Sequence, residues 1–277
     1  VSSRRLAASG ILVFALLAPA CASTHNHELL DAVLWTQTAA EHDLLYRQAF
    51  VLAAEHVKNG LDDPSWTAMP LEQTGDYQSL PPAVVFDADE TIIDNGEYEA
   101  ELIKEKKSYD GKLFDDVWIP LAAAKATPGA LEFMRWLKEK GVEPIVITNR
   151  NDPPSKAPTL KNLLDLGFPL KADGSTVLLR EKKEWYEKAA RRAVVAKSYR
   201  VLLLLGDDLG DFVTITDADL AKRRALADRF KDYWGVKWIV LPNPMYGSWE
   251  RALYPKNATE DAERLRLKSE KLRGFRK

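Results

Sequence analysis

Cysteine occurs once in the 277 residues, at Cys21, so the chain can form no internal disulfide and no cysteine-rich zinc site. Histidine is almost as scarce. His25, His27, His42 and His56 are the whole complement, and none lies beyond residue 56. Chemistry in the remaining four-fifths must work without imidazole. An excess of one charge is missing too: 39 basic against 41 acidic residues leave a net charge of −2. A nucleic-acid binder normally carries a basic surplus, so this balance argues against that partner. The apolar run Ile11–Ala18 is eight residues long, well short of the roughly 20 that cross a bilayer as a helix, and no other stretch reaches that length. With 46% hydrophobic and 29% charged residues, the composition is that of a globular chain, and no internal repeat or low-complexity segment interrupts it.

The run Ile11–Ala18 follows Arg4 and Arg5 and gives way to Ala18-Pro-Ala-Cys21. A basic start, a short apolar stretch and small residues before a break read as a secretory signal. With the cysteine directly after the break, it resembles a bacterial lipoprotein signal, although Ala18 stands where leucine is usual. That resemblance implies that Cys21 is lipidated and that the protein is exported, to the periplasm or as an outer-membrane lipoprotein. The membrane would then be met only through the N-terminal lipid.

Three regions follow: a signal over 1–21, an N-terminal helical segment over 22–80, and an α/β domain over 81–277. In residues 28–60, Leu29, Leu30, Val33, Leu34, Leu44, Leu45, Ala49, Val51 and Leu52 fall near helical spacing. Residues 61–80 are punctuated by proline and glycine and read as a connection. Five short apolar runs then suit buried parallel strands: 83–86, 144–148, 176–179, 201–205 and 238–241. Between them, helices are expected from Thr127 as N-cap to Gly141, around Leu160–Gly167, over 184–197 and over 217–233. Strands alternating with helices imply a parallel sheet covered on both faces. In such sheets the ligand lies at the carboxyl ends of the strands.

Acids gather at those ends. The first strand runs into Asp87-Ala-Asp89-Glu-Thr91, and the fourth into Gly206-Asp-Asp-Leu-Gly-Asp211. Crowded carboxylates repel one another unless a cation holds them ionised. Oxygen-only ligands of this kind suit Mg²⁺, which binds through a few carboxylates together with substrate phosphate. The second strand ends in Thr148-Asn149-Arg150, whose hydroxyl and amide can donate to an anionic oxygen. A phosphate also needs a positive side chain. Lys182, Lys183 and Lys188 are the candidates, and spacing does not choose among them.

In this order the residues resemble the haloacid dehalogenase superfamily of phosphohydrolases: Asp87-x-Asp89-x-Thr91, then Thr148, then a lysine, then Asp207 with Asp211. The phrases Asp87-Ala-Asp-Glu-Thr-Ile-Ile-Asp-Asn95, Thr148-Asn-Arg150, Gly206-Asp-Asp-Leu-Gly-Asp-Phe212 and Leu241-Pro-Asn-Pro-Met-Tyr-Gly-Ser-Trp249 look like one branch, the bacterial class C acid phosphatases. The resemblance covers nearly all of the chain after the signal. It implies a haloacid dehalogenase-like sheet with a small cap insert at about 97–126. In that branch the motif lysine precedes paired arginines, which selects Lys188 ahead of Arg191 and Arg192.

The same resemblance implies a chemistry. Asp87 would attack phosphorus, a role for which a carboxylate needs no general base. Asp89 would protonate the leaving alcohol and later activate water. Mg²⁺ would be held by Asp87, the backbone carbonyl of Asp89 and Asp207, with Asp211 supporting it. Thr148 and Lys188 would hold phosphoryl oxygens, and Asn149 would be a nearby substrate contact. Trp118, in the insert, and Tyr246, after the last strand, are expected to sandwich a nucleobase or similar ring. The substrate would be a small phosphorylated metabolite such as a nucleoside monophosphate, making the protein an acid phosphatase or 5′-nucleotidase. A homodimer is a family expectation only. The other readings are a phosphotransferase, or a non-catalytic storage or binding protein on the same fold. Relatives of the last kind lose the nucleophile, whereas Asp87 is present here.

Overall fold

A computed structural model describes residues 27–182 and 186–275; Cys21 and the expected signal lie outside the described residues. The centre is a five-stranded parallel sheet in the order β5-β4-β1-β6-β7. Its strands are β1 (Pro82–Phe86), β4 (Glu143–Asn151), β5 (Val177–Arg180), β6 (Arg200–Gly206) and β7 (Trp238–Val240). β1 lies between β4 and β6, with Phe86 paired to Val146 on one side and Leu205 on the other. β6 is buried along its whole length, as an unbroken leucine run in a doubly covered parallel sheet should be.

The two core layers lie on opposite faces of this sheet. One gathers Val84, Phe86 and Val146 with Phe133, Met134 and Leu137 of a helix. The other gathers Val85, Ile145, Ile147 and Leu204 with Phe212, Phe230 and Trp238. Alternate residues of β1 thus serve opposite layers, the period-two rule of strands.

Residues 28–60 form two helices, α1 (Leu30–Thr38) and α2 (Ala40–Asp62), not one. Ala39 between them is extended. The Thr36 and Thr38 hydroxyls donate back to the carbonyls of Ala32 and Leu34, a local competition that bends or ends helices. The face of α2 that meets the core carries His42, Tyr46, Phe50, Ala53 and Val57. Leu44, Leu45, Val51 and Leu52, four of the positions that suggested the helix, are exposed instead. Both stripes are apolar at helical spacing, and the aromatic one fills the space against the sheet.

Between β2 (Ile93–Asp94) and β3 (Lys125–Ala126), a short antiparallel pair, the chain makes an excursion. It contains α3 (Gly96–Glu105), α4 (Gly111–Leu113), a π-helical turn (Phe114–Trp118) and α5 (Ile119–Leu121). This is the cap. The next helix, α6 (Ala130–Glu139), is not capped by Thr127 as the sequence suggests. Its N-cap is Gly129, at φ +89°, and the Thr127 hydroxyl donates to the carbonyl of Thr91 at 2.8 Å. Thr127 therefore closes the base of the cap. The remaining helices are α7 (Lys156–Asp165), α8 (Ala189–Ala196), α9 (Leu220–Arg229), α10 (Ser248–Arg251) and α11 (Asp261–Ser269). Among the described residues, the expected helix over 184–197 is found as Ala189–Ala196 and that over 217–233 as the shorter Leu220–Arg229. No helix among the described residues is long and apolar enough to cross a membrane.

Candidate active site

The end of β1 delivers Asp87, whose amide N–H donates to the Leu205 carbonyl at 2.9 Å and so locks it beside the end of β6. β6 leads through Gly206 into Asp207. A Cβ at Gly206 would overlap the Asp211 side chain, so only glycine lets the loop fold back this far. Asp208 turns the loop: its carboxylate accepts from the Gly210 N–H at 2.8 Å while its own N–H donates to Asp211 at 2.9 Å. It also accepts from the backbone of Ser248 at 2.6 Å. Of the three acids in this loop, Asp208 is structural, and Asp207 and Asp211 are left to face Asp87.

Carboxylate oxygens of Asp87, Asp207 and Asp211 lie within 4.8 Å of one another. Lys188, immediately before α8, enters this cluster. Its ammonium donates to Asp87 and to Asp211, the latter at 2.6 Å. Burial dominates the electrostatics. It pushes the Asp87 carboxyl up to about 7 against the pull of Lys188, with Asp211 and Asp89 adding to the rise. Burial likewise raises Asp207 well above the usual range, helped by Asp211 and Asp87. Asp211 is raised by burial, with Lys188 opposing. One ammonium does not balance three carboxylates. The donor set is all oxygen and the oxygens converge, which fits a hard divalent cation.

Asp89 belongs to a different group. Its carboxylate accepts from Arg150 at 2.7, 3.1 and 3.2 Å, from the Asn95 amide at 2.9 Å and from the Thr148 hydroxyl at 3.3 Å. Burial works to raise this carboxyl, but Arg150 and Asn95 overcome it and hold it below the ordinary range. The side chain is thus not among the clustered acids.

Helix α8 organises the rest. Lys188, Arg191 and Arg192 stand at i, i+3 and i+4, on one helical face. Arg191 donates to the Thr148 carbonyl and, at 2.5 Å, to the Asn149 side chain. Arg192 donates to the Asp211 carbonyl at 2.9 Å and to Glu72 at 2.8 Å. One face of a helix therefore ties the ends of β1, β4 and β6 together. The paired arginines served the sequence reading only as a marker for the lysine.

Of the expected site residues, Asp87, Lys188, Asp207 and Asp211 converge. Thr148 is fully buried and joins Asp89. Asn149 is exposed and held by Arg191. Trp118 is 9% exposed, its indole N–H donating to Asn95 at 2.7 Å, and it lines a cleft of about 450 Å³ with Tyr98, Leu113, Val117 and Leu121. Tyr246 is half-buried in the loop after β7. Among the described residues no ring contact joins Trp118 to Tyr246. Sequence reasoning gave no role to Arg150, Asn95, Glu90 or Asn243. Asn243 donates to Asp207 at 2.8 Å, and Glu90, 2% exposed, accepts from the Asn95 backbone at 2.7 Å.

The family model for the HAD superfamily, subfamily IIIB (Acid phosphatase), matches residues 11–249. The chain belongs to this family. Within it, the fold is similar to the class C acid phosphatase from Bacillus anthracis: the TM-score is 0.79 at 33% identity, over 91% of this chain and 99% of that one. The same enzyme with tungstate bound gives 0.77 at 34% identity over the same shares. Among curated proteins, vegetative storage protein 2 of Arabidopsis thaliana is 27% identical over 171 residues, 58% of this chain and 55% of that protein. Vegetative storage protein 1 is equally identical over the same length. The chain thus spans about half the length of these curated relatives.

Proposed function

We propose that this protein is a divalent-cation-dependent phosphomonoesterase working through an aspartyl-phosphate on Asp87. The observation that carries this reading is the convergence of Asp87, Asp207, Asp211 and Lys188 at the ends of β1 and β6. In the first step an Asp87 oxygen bonds to phosphorus while the phosphorus–ester oxygen bond breaks, and Asp89 gives its proton to the departing oxygen. In the second, Asp89 takes a proton from water, the water oxygen bonds to phosphorus, and Asp87 is released with orthophosphate. Mg²⁺, held by Asp87, Asp207, the Asp89 carbonyl and the nearby Asp211, would screen the nucleophile from the phosphate dianion and polarise the phosphoryl oxygens.

Lys188 places a fixed positive charge where the phosphoryl oxygens gain charge. Asn243 and Thr91 orient Asp207, at 2.8 and 3.4 Å. Asp89 must be protonated to act as an acid, and Arg150 resists this. Activity should therefore favour acidic medium. Tungstate is a tetrahedral oxyanion, so its presence in the Bacillus anthracis structure supports an oxyanion site here. The curated storage-protein relatives suggest a non-catalytic reading, but the intact, polarised nucleophile favours catalysis. For the substrate we propose a nucleoside monophosphate, with Tyr246 as the stacking surface, since its loop also carries Asn243. We further propose export with a lipid on Cys21, which mass spectrometry of the mature N-terminus tests.

The deciding experiment is phosphate release from a nucleoside monophosphate, with and without chelator, by the wild type and Asp87→Asn. Release should stop in both the chelated and the substituted protein while the circular dichroism of the variant is unchanged. Undiminished release by Asp87→Asn would end the nucleophile assignment.

A further inference from the structure

Asn95 sits where the cap leaves the sheet, fully buried, and its carboxamide has a different partner on each side. The Trp118 indole N–H donates to its oxygen at 2.7 Å, and the Arg150 guanidinium reaches the same oxygen at 3.4 Å. Its amide nitrogen donates to Asp89 at 2.9 Å and to Glu90 at 3.2 Å. An indole N–H can only donate, and the Asp89 carboxylate, held as the anion by Arg150, can only accept. Trp118, the closer of the two donors, with Arg150 behind it, therefore sets which end of the carboxamide faces Asp89. Were the amide flipped, its N–H₂ would meet the indole donor and its oxygen would meet Asp89, two mismatches in a buried place.

The indole is itself a cap residue. It closes the π-helical turn Phe114–Trp118, a rare form of helix that often accompanies function. Tyr98 of α3 lies against it, with ring centroids 6.5 Å apart. The backbone N–H of Asn95 is meanwhile bound by Glu90 at 2.7 Å, so the residue is anchored on the sheet side whatever the cap does. A cap movement that withdraws the indole would leave the carboxamide oxygen only the longer Arg150 contact and so loosen one of the donors holding Asp89.

We propose that Asn95 is a positioning residue through which Trp118 of the cap sets the orientation of Asp89, so that the seated cap completes the proton-donating geometry. This rests on the phosphomonoesterase reading and deepens it: the ester oxygen that most needs a proton is the one that most needs the cap. The alternative is that the three groups only pack the cap onto the sheet.

The experiment compares Trp118→Phe, which keeps a ring but loses the N–H, and Asn95→Ala with the wild type. Each is measured with Mg²⁺ on a series running from p-nitrophenyl phosphate to an alkyl phosphate. A good leaving group departs without help, whereas a basic alkoxide requires the proton. We expect log(kcat/KM) to fall more steeply with leaving-group basicity in both variants, the alkyl ester losing roughly tenfold more than the nitrophenyl ester. An equal loss across the series, or a change confined to KM, would overturn the proposal and leave a packing or substrate-contact role. If Asn95→Ala does not fold, Trp118→Phe alone decides. A wild type inactive on every ester would instead remove the phosphomonoesterase reading, and the positioning role with it.

Discussion

Arg150 clasps Asp89 through three hydrogen bonds, at 2.7, 3.1 and 3.2 Å, from a guanidinium whose side chain is only 2% exposed. The same group donates to Thr159 at 3.1 Å, which fixes its plane. Asp89 is thus kept as the anion, ready to take a proton from water, and is harder to protonate for its turn as acid.

Replacing Arg150 should therefore move the pH dependence. Arg150→Met removes the main influence lowering the Asp89 carboxyl, so the protonated form survives to higher pH and the optimum of kcat/KM shifts toward neutrality. The loss of a buried ion pair should also cost about 3 kcal/mol of stability. A pH–rate profile read beside a urea melt checks both. An optimum displaced toward lower pH would refute the acid assignment of Asp89.

Lys188→Met should be more damaging to turnover than to folding. The ammonium between Asp87 and Asp211 would be gone, and Asp87, already raised to about 7, would rise further. We expect kcat to fall by roughly 10²–10³ at its best pH, the scale of losing one donor to developing charge. A loss below tenfold would place the phosphoryl oxygens elsewhere.

Cation binding should compete with protons. Burial raises Asp87, Asp207 and Asp211 together, so protons compete with a divalent ion for these oxygens, increasingly as pH falls. A given rise in Tm should need more Mg²⁺ at about pH 5 than at about pH 8. Differential scanning fluorimetry reads this directly. The same concentration dependence at both values would place the ion outside this cluster.

Glu99 gives the cap a pH dependence of its own. It lies on α3, 3% exposed, and burial, reinforced by Glu250, pushes its carboxyl from the ordinary 4.5 up to about 7. A folded-state value above the unfolded one means that stability is full below 4.5 and declines as pH climbs to about 7. The penalty above that is on the order of 3 kcal/mol. Glu99→Gln should melt higher than the wild type in alkaline buffer and equally in acid. A variant that is less stable throughout would mean that the carboxylate is well solvated or paired.

Much of this was legible in the sequence because apolar runs that end in acids declare both a buried strand and its polar end. The runs before Asp87 and Asp207 are strands β1 and β6, and Lys188 stands where the arginine pair pointed. The links between loops were not legible. Arg150 lies beside Thr148 in sequence, but its partner Asp89 is 61 residues away and only the β1–β4 register brings them together. The same holds for Trp118 and Asn95, 23 residues apart across the cap. On α2 two apolar stripes compete, and side-chain volume against the sheet, not spacing, decides that Tyr46 and Phe50 turn inward while Leu44 and Val51 do not.

The strand order has a consequence in time. β1 is bordered by β4 and β6, so a chain growing from its N-terminus carries the nucleophile long before the strand beside it exists. Until residues 200–206 have been made, one margin of β1 is a row of bare amides and carbonyls, open to any neighbouring extended peptide. Asp87 and Asp207 meet only when that margin closes, so a fragment ending before β6 should expose a strand edge that pairs readily with other chains.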